Sequence, residues 1–424
     1  MRLLIRRALI LDPHSPHHKK RLDILIKKGN IARIGRNLPV RADQVIQSGN
    51  LHISPGWLDI GAQGGEPGYE HREDLQSMSA AAISGGYTAV ACFPNTRPVI
   101  HSKSEVEYIR NRSSALPIDV YPIGAISIDC DGKDLAELRD MHEAGAVAFS
   151  DGRKPMLDAG LMLRALHYSK GFGGLIVNRP DERQISGEGQ MHESETSVFL
   201  GLKGIPAISE HIMTERDLRL LEYSGSRLHS YAVTTVESLS LIRQARKNGM
   251  QLTASTPAIN LLLEDKNLEE FDTHLKIIPP LRTRVDRTAL IRGIKDGTID
   301  CIVSNHEPIE EEGKKMEFAY AAFGSTGLET AFALAHTACK GQVTMETLVN
   351  CFSLNPRKIL RLPVPVIKEQ ESANLTLFDP DIEWTVAPGH LNSKSSHAAA
   401  LGQMLTGCVV GVVYKNTVHL VPEK

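Results

Sequence analysis

The chain has 424 residues, of which 42% are hydrophobic and 23% charged, with a net charge of −2. That is the balance of an ordinary globular protein with room for a large core. Near-neutrality removes any electrostatic case for binding nucleic acid or an anionic membrane surface.

In chain order, charge at Arg2, Arg6 and Arg7 interrupts the start too early for a secretory apolar region. A cytoplasmic protein is expected. Residues 1–54 carry strand signals at 3–5, 8–11, 22–26 and 30–34, with Gly29-Asn30 as a turn. From 55 to 362, short apolar runs (88–93, 119–123, 147–149, 175–177) alternate with helix-length amphipathic stretches (104–111, 135–144, 161–169). Such alternation over roughly 300 residues predicts a parallel sheet closed as a (β/α)8 barrel. Strand signals return over 363–424, at 374–380, 384–386 and 409–414. The expected architecture is therefore α/β: a TIM-like barrel over 55–362 and a small composite β domain from 1–54 and 363–424. The longest apolar stretch, 401–414, is shorter than the ~20 residues of a membrane helix. Cys92, Cys130, Cys301, Cys339, Cys351 and Cys408 form no Cys-x-x-Cys pair, which reads as reduced core thiols.

Several motifs then fall in a fixed order. They are Pro55-Gly56-Trp57-Leu58-Asp59-Ile60-Gly61-Ala62-Gln63-Gly64-Gly65-Glu66-Pro67-Gly68, Phe93-Pro94-Asn95-Thr96-Arg97-Pro98, Ile278-Pro279-Pro280-Leu281-Arg282, Gly324-Ser325-Thr326-Gly327 and Asn355-Pro356. Together they resemble the dihydroorotases, cyclic amidases of the amidohydrolase superfamily, whose opening motif reads Pro-Gly-x-x-Asp-x-His-x-His-x-Arg-Glu-Pro-Gly. The resemblance covers most of the chain and implies the amidohydrolase barrel.

It also implies zinc chemistry, yet the matching positions carry other residues. The two histidines of the opening motif fall on Gly61 and Gln63, and the two later histidine ligands on Asn178 and Ala232. The catalytic aspartate falls on Asn305, and the arginine that binds the substrate carboxylate on Gly65. Asp151 is the one remaining candidate metal ligand, while Asn95 and His306 match positions that hold substrate. Zinc prefers imidazole, thiolate and carboxylate, and an asparagine cannot take the proton an aspartate would. A bound metal lowers the pKa of water from about 15.7 to about 7, a differential stabilisation of roughly 12 kcal/mol that no single side chain replaces.

The expectation is a protein of pyrimidine biosynthesis without a metal cofactor, serving as a structural or regulatory subunit. Its partner would be aspartate transcarbamoylase, as the resemblance implies, or a second copy of itself. A residual pocket leaves room for a small molecule, which admits a sensor. The alternative is an amidohydrolase acting on another cyclic amide, with Asp151, His229 or His306 in new roles. His192 beside Glu193 and His211 beside Glu210 lack metal-ligand spacing and are expected to be surface or hydrogen-bonded histidines. The glycines of 61–65 lack the phosphate-loop pattern and are expected to form a relaxed turn. Cys92 has no identifiable base.

Overall fold

A computed structural model describes residues 2–422. The chain opens on strands β1 (Arg2–Ile10), β2 (Arg21–Lys27), β3 (Asn30–Gly35), β4 (Gln44–Ile46) and β5 (His52–Pro55). β1, β2 and β3 form an antiparallel meander, and β4 and β5 pair parallel with β1. The two strands expected at 3–5 and 8–11 are one. Their register shifts between Ile5 and Ala8, where Arg7 adopts φ 47° and its N–H donates to buried Asp23. A bulge of this kind bends a strand without ending it.

The barrel follows. Its strands are β6 (Trp57–Ala62), β7 (Tyr87–Cys92), β8 (Asp119–Pro122) and β9 (Ile176–Asn178). After the short pair β10 (Met191–His192) and β11 (Gly204–Ile205) come β12 (Leu228–Ser230), β13 (Leu252–Pro257) and β14 (Cys301–Val303). All barrel pairings are parallel. The strand expected over 147–149 shrinks to a single bridging residue, Phe149, which pairs with Gly124 on one side and Ile176 on the other. The Asp59 side chain and one backbone bond complete the closure between β14 and β6. The Ser304 N–H and Oγ donate to Asp59 at 2.8 and 2.5 Å, and the Gln63 N–H donates to the His306 carbonyl at 2.9 Å.

The surrounding helices start where their sequences supply caps. Asp74 and Ser77 close a capping box on Leu75–Ser84, Ser102 and Glu105 one on Lys103–Ser113, and Thr283 and Asp286 one on Arg284–Asp296. Helix 138–144 begins three residues later than the periodicity at 135–144 suggests, and Gly145 stops it with φ 111°.

The chain ends on β15 (Leu375–Thr385), β16 (Met404–Tyr414) and β17 (Thr417–Leu420). β15 pairs antiparallel with β5, so strands from both ends of the chain share one eight-stranded sheet. The separate strand expected at 384–386 is the end of β15, continued past an irregularity between Asp379 and Glu383. Trp57 joins sheet to barrel, its ring 5.5 Å from Phe378 of β15 and 4.8 Å from Phe332 of helix Ala331–Cys339. No helix among the described residues is long and apolar enough to cross a membrane.

Candidate functional site

The C-terminal ends of β6, β7, β9, β12 and β14, with the bridge at Phe149, bring the positions matched through the resemblance, Gly61, Gln63, Gly65, Asn95, Asp151, Asn178, Ala232, Asn305 and His306, to one end of the barrel, where such folds place their sites. What stands there is packed. Gly61 has φ 92°, and a Cβ on it would lie 2.6 Å from the Phe93 ring and 2.7 Å from the Tyr231 ring. Those rings meet edge to face with centroids 4.9 Å apart, and both belong to an apolar cluster with Ile60, Ala91, Val177, Ala232 and Val303. Ala232 is buried with φ 58°, its N–H bonded to Ser255 Oγ at 3.1 Å. The apolar barrel interior therefore extends into the mouth.

The amides nearby are structural. Asn178 is buried. Its Nδ2 donates to Asp217 at 2.7 Å and its Oδ1 accepts the Met156 N–H at 3.0 Å. Gln63 Nε2 reaches Asn95 Oδ1 at 3.3 Å. Asn95 is expected to hold substrate, but its Oδ1 also accepts the Arg153 N–H at 2.8 Å and its Nδ2 donates to the Asp151 carbonyl at 2.9 Å. It ties together the loops after the second and fourth barrel positions. Asn305 takes φ 51° and donates to the Ile278 carbonyl at 3.1 Å.

Asp151 is likewise engaged. Its Oδ1 accepts the Ile126 and Ser127 N–H groups, both at 2.9 Å, and its Oδ2 accepts Ser127 Oγ at 2.5 Å. Burial pushes its pKa up against these three donors. An ion at this carboxylate would have to displace them. His306 corrects the expectation of an open substrate contact. Its side chain is fully buried, with Nε2 3.3 Å from Glu73 and Nδ1 accepting the Gly327 N–H at 3.2 Å. Because Nδ1 accepts, Nε2 carries the proton and donates to Glu73. Gly65 has φ 67°, and a Cβ there would lie 2.0 Å from the Glu73 carbonyl oxygen, so the backbone itself fills the space a side chain at this position would need.

His229 lies inside the barrel between Thr253 Oγ1 at 2.9 Å and Ser255 Oγ at 3.0 Å, and burial lowers its pKa to about 3. It is a neutral core histidine. His192 is buried against Arg282 Nη1 at 3.1 Å. His211 is a partly exposed helix residue 4.0 Å from Glu215. Burial pushes the Cys92 thiol up to about 12, leaving no thiolate for nucleophilic attack.

Beyond the aromatic pair a polar cavity of about 380 Å³ opens to solvent. Gln63, Asn95, Glu73, Glu307, Arg72, Arg153, Lys154 and Arg183 line it. Arg153 pairs with Glu307, and Arg72 donates to Glu310 at 2.9 Å. Glu73 is held by His306, Ser77 and Ser393, and the opposing partners pull its pKa below the usual carboxylate range despite burial. Asp151, His229 and His306 do not line this cavity. Tyr231 and Glu307 escape a search for matched motif positions. The legible signal was aromatic bulk at Phe93 and Tyr231 beside side chains as small as Gly61 and Ala232.

A zinc centre of the kind the resemblance implies needs several imidazole or carboxylate ligands. The corresponding residues are a glycine, two amides and a methyl group. Among the described residues no three His, Cys, Asp or Glu side chains converge as a metal would require. The residues present do not fit the ion.

Comparison with known proteins agrees with the fold. An L-hydantoinase from Arthrobacter aurescens superposes with a TM-score of 0.84 at 22% identity, covering 100% of this chain and 96% of that one. A D-hydantoinase from Thermus sp. gives 0.78 at 19%, covering 100% and 97%. The architecture is thus the amidohydrolase (β/α)8 barrel with an accompanying β-sheet. In sequence, residues 51–238 match a family model described as dihydro-orotase-like. A dihydroorotase of Pelotomaculum thermopropionicum is 38% identical over 409 residues, 96% of either chain. One of Syntrophus aciditrophicus is 38% identical over 414 residues, 97% of either chain. The chain belongs to the dihydroorotase family.

Proposed function

We propose that this member of the family does not hydrolyse dihydroorotate and serves pyrimidine biosynthesis as a structural or regulatory subunit, with aspartate transcarbamoylase as its partner. The observation that carries the reading is the Phe93–Tyr231 pair, whose rings lie within 2.7 Å of where a Cβ on Gly61 would stand. Loss of a ligand alone would leave an open polar site. Here apolar rings fill the space, and burying them rewards the fold for remaining closed to an ion. The proton shuttle is absent in the same reading, since Asn305 cannot act as a general base.

The test measures zinc in the protein as isolated, follows dihydroorotate hydrolysis with and without added zinc, and checks co-elution with aspartate transcarbamoylase. No stoichiometric zinc, no turnover and co-elution are expected. Stoichiometric zinc with turnover would falsify the non-catalytic reading, and separate elution would remove the partner.

The polar cavity supports a second reading, a cyclic amidase of other specificity. Its chemistry would rest on Glu307, since Asp151, His229, and the His306–Glu73 pair are committed elsewhere. Turnover of a hydantoin or lactam abolished by Glu307→Gln would favour it over the first reading.

A further inference from the structure

Two lysines without a counter-charge are buried between neighbouring loops at the barrel mouth. Lys276 lies in the connection after β13, and Lys314 ends the one-turn helix Glu311–Lys314 after β14. Each is 2% exposed, although lysine is almost never fully buried unless paired. Neither has an ion-pair partner among the described residues.

Their amines bind main chain only, and they do so reciprocally. Lys276 Nζ donates to the Phe318 and Ala319 carbonyls at 2.6 and 3.0 Å. Lys314 Nζ donates back to the Thr273 and Lys276 carbonyls at 2.8 and 3.1 Å. Each loop is thus held by a lysine of the other. An ammonium has three N–H donors and a neutral amine two, so two carbonyls saturate the neutral form and leave the charged form one donor over. The Phe318 and Phe323 rings, with centroids 5.3 and 5.0 Å from Lys276 Nζ, offset part of that cost for one lysine.

Burial works in the same direction and lowers both amines to about 8. Glu307 and Asp272 face Lys314 and oppose this, while the charge of Lys276 adds to it. His397 also faces Lys314, with His274, Glu311 and Lys315 around it, and burial holds His397 below its ordinary 6.5. Out in water a lysine titrates near 10.4. The clasp is therefore strongest above that pH, and its stability is lost as pH falls through 8 and the amines prefer to leave as ammoniums.

The segment held in this way is also a wall of the polar cavity. Glu307 and Pro308 line the space, Glu307 pairs with Arg153, and Glu310 accepts from Arg72. The Gly324 N–H donates to the Lys276 carbonyl at 3.0 Å, so the far end of the segment is tied to the same clasp. We propose that the segment from Glu307 to Gly324 is a proton-coupled flap on the polar cavity, which Lys276 and Lys314 hold shut and which loosens as they take up protons. The inference rests on neither reading of catalysis.

Hydrogen exchange of the full chain, followed by mass spectrometry at pH 7, 8 and 9 and corrected for intrinsic rates, tests it. Opening over residues 313–324 should fall about a hundredfold from pH 7 to 9, about tenfold for each amine moved between 8 and about 10.4. Helix Lys103–Ser113 should show no such fall. Lys276→Met and Lys314→Met keep the bulk and remove the charge. Each should leave about a tenfold dependence, and the two combined should leave none. Peptides covering Glu307 and Glu310 should follow the same profile, because the cavity wall moves with the clasp. A flat wild-type profile, a fall that survives in the double variant, or a wall over 307–310 that does not follow overturns the proposal. Should a variant fail to fold, the wild-type contrast between this segment and helix Lys103–Ser113 decides alone.

Discussion

Placing a histidine at Gly61 tests the packing of the barrel mouth with a single residue. Gly61→His puts a Cβ into the Phe93 and Tyr231 rings and forces a β-substituted residue to hold φ 92°. Overpacking costs about 1–3 kcal/mol and a left-handed non-glycine residue about 1–3 more. The variant should lose about 3 kcal/mol in urea unfolding and gain no zinc. Cutting Phe93 to alanine in the same chain should recover part of that loss, because the ring is half of the clash. If Gly61→His alone is neutral and takes up zinc, the rings move aside easily and the mouth is not packed as described.

At the scale of elements, one buried carboxylate joins three of them. Glu210, in helix Ile208–Ser224, accepts the N–H groups of Thr234 and Thr235 at 2.9 Å each, and Arg282 Nη2 approaches it to 3.4 Å. Glu210→Ala strands a buried guanidinium and two N–H groups, which costs about 3–5 kcal/mol. Glu210→Gln keeps an acceptor for the amides and should lose less than half as much. Equal losses would mean that Glu210 acts only as a space-filler. This network was not legible in the sequence, where Glu210 appeared only as a neighbour of His211, because its partners lie 24 and 72 residues away. Local signals fared better: the stretch expected at 104–111 lies within helix Lys103–Ser113, whose capping box of Ser102 and Glu105 spans only three residues. The break expected between 5 and 8 failed because a bulge leaves the same mark in sequence as a turn. In the site, motif matching named Gly61, Gln63, Asn178 and Ala232 one by one. The commitment of Asp151 to Ser127 and of His306 to Glu73 could not be read that way, because hydrogen-bond partners from other strands leave no local pattern.

For the whole molecule, two buried ionisable groups in the barrel set opposite dependences on pH. Burial lowers the pKa of His229 from 6.5 to about 3, so the fold holds it neutral where the unfolded chain would protonate it. Its contribution is complete above pH 6.5 and is lost as pH falls toward 3, about 5 kcal/mol at ~1.4 kcal/mol per pKa unit. Burial raises Asp59 from 3.8 to about 6 against the pull of Ser304. Its contribution is complete below pH 3.8 and is lost as pH rises through 6, about 3 kcal/mol. The histidine outweighs the aspartate, so acid should unfold the barrel while Asp59 partly offsets the loss. Urea unfolding of His229→Gln should therefore show a shallower fall in stability from pH 6.5 to 4 than the wild type, even if the variant is weaker at pH 7. Asp59→Asn keeps an acceptor for the Ser304 N–H, and its amide can donate to Ser304 Oγ. That variant should gain on the wild type steadily between pH 4 and 6 and hold a constant advantage above. If both profiles run parallel to the wild type, neither group titrates with folding, and the barrel admits enough water at these positions to solvate their charges.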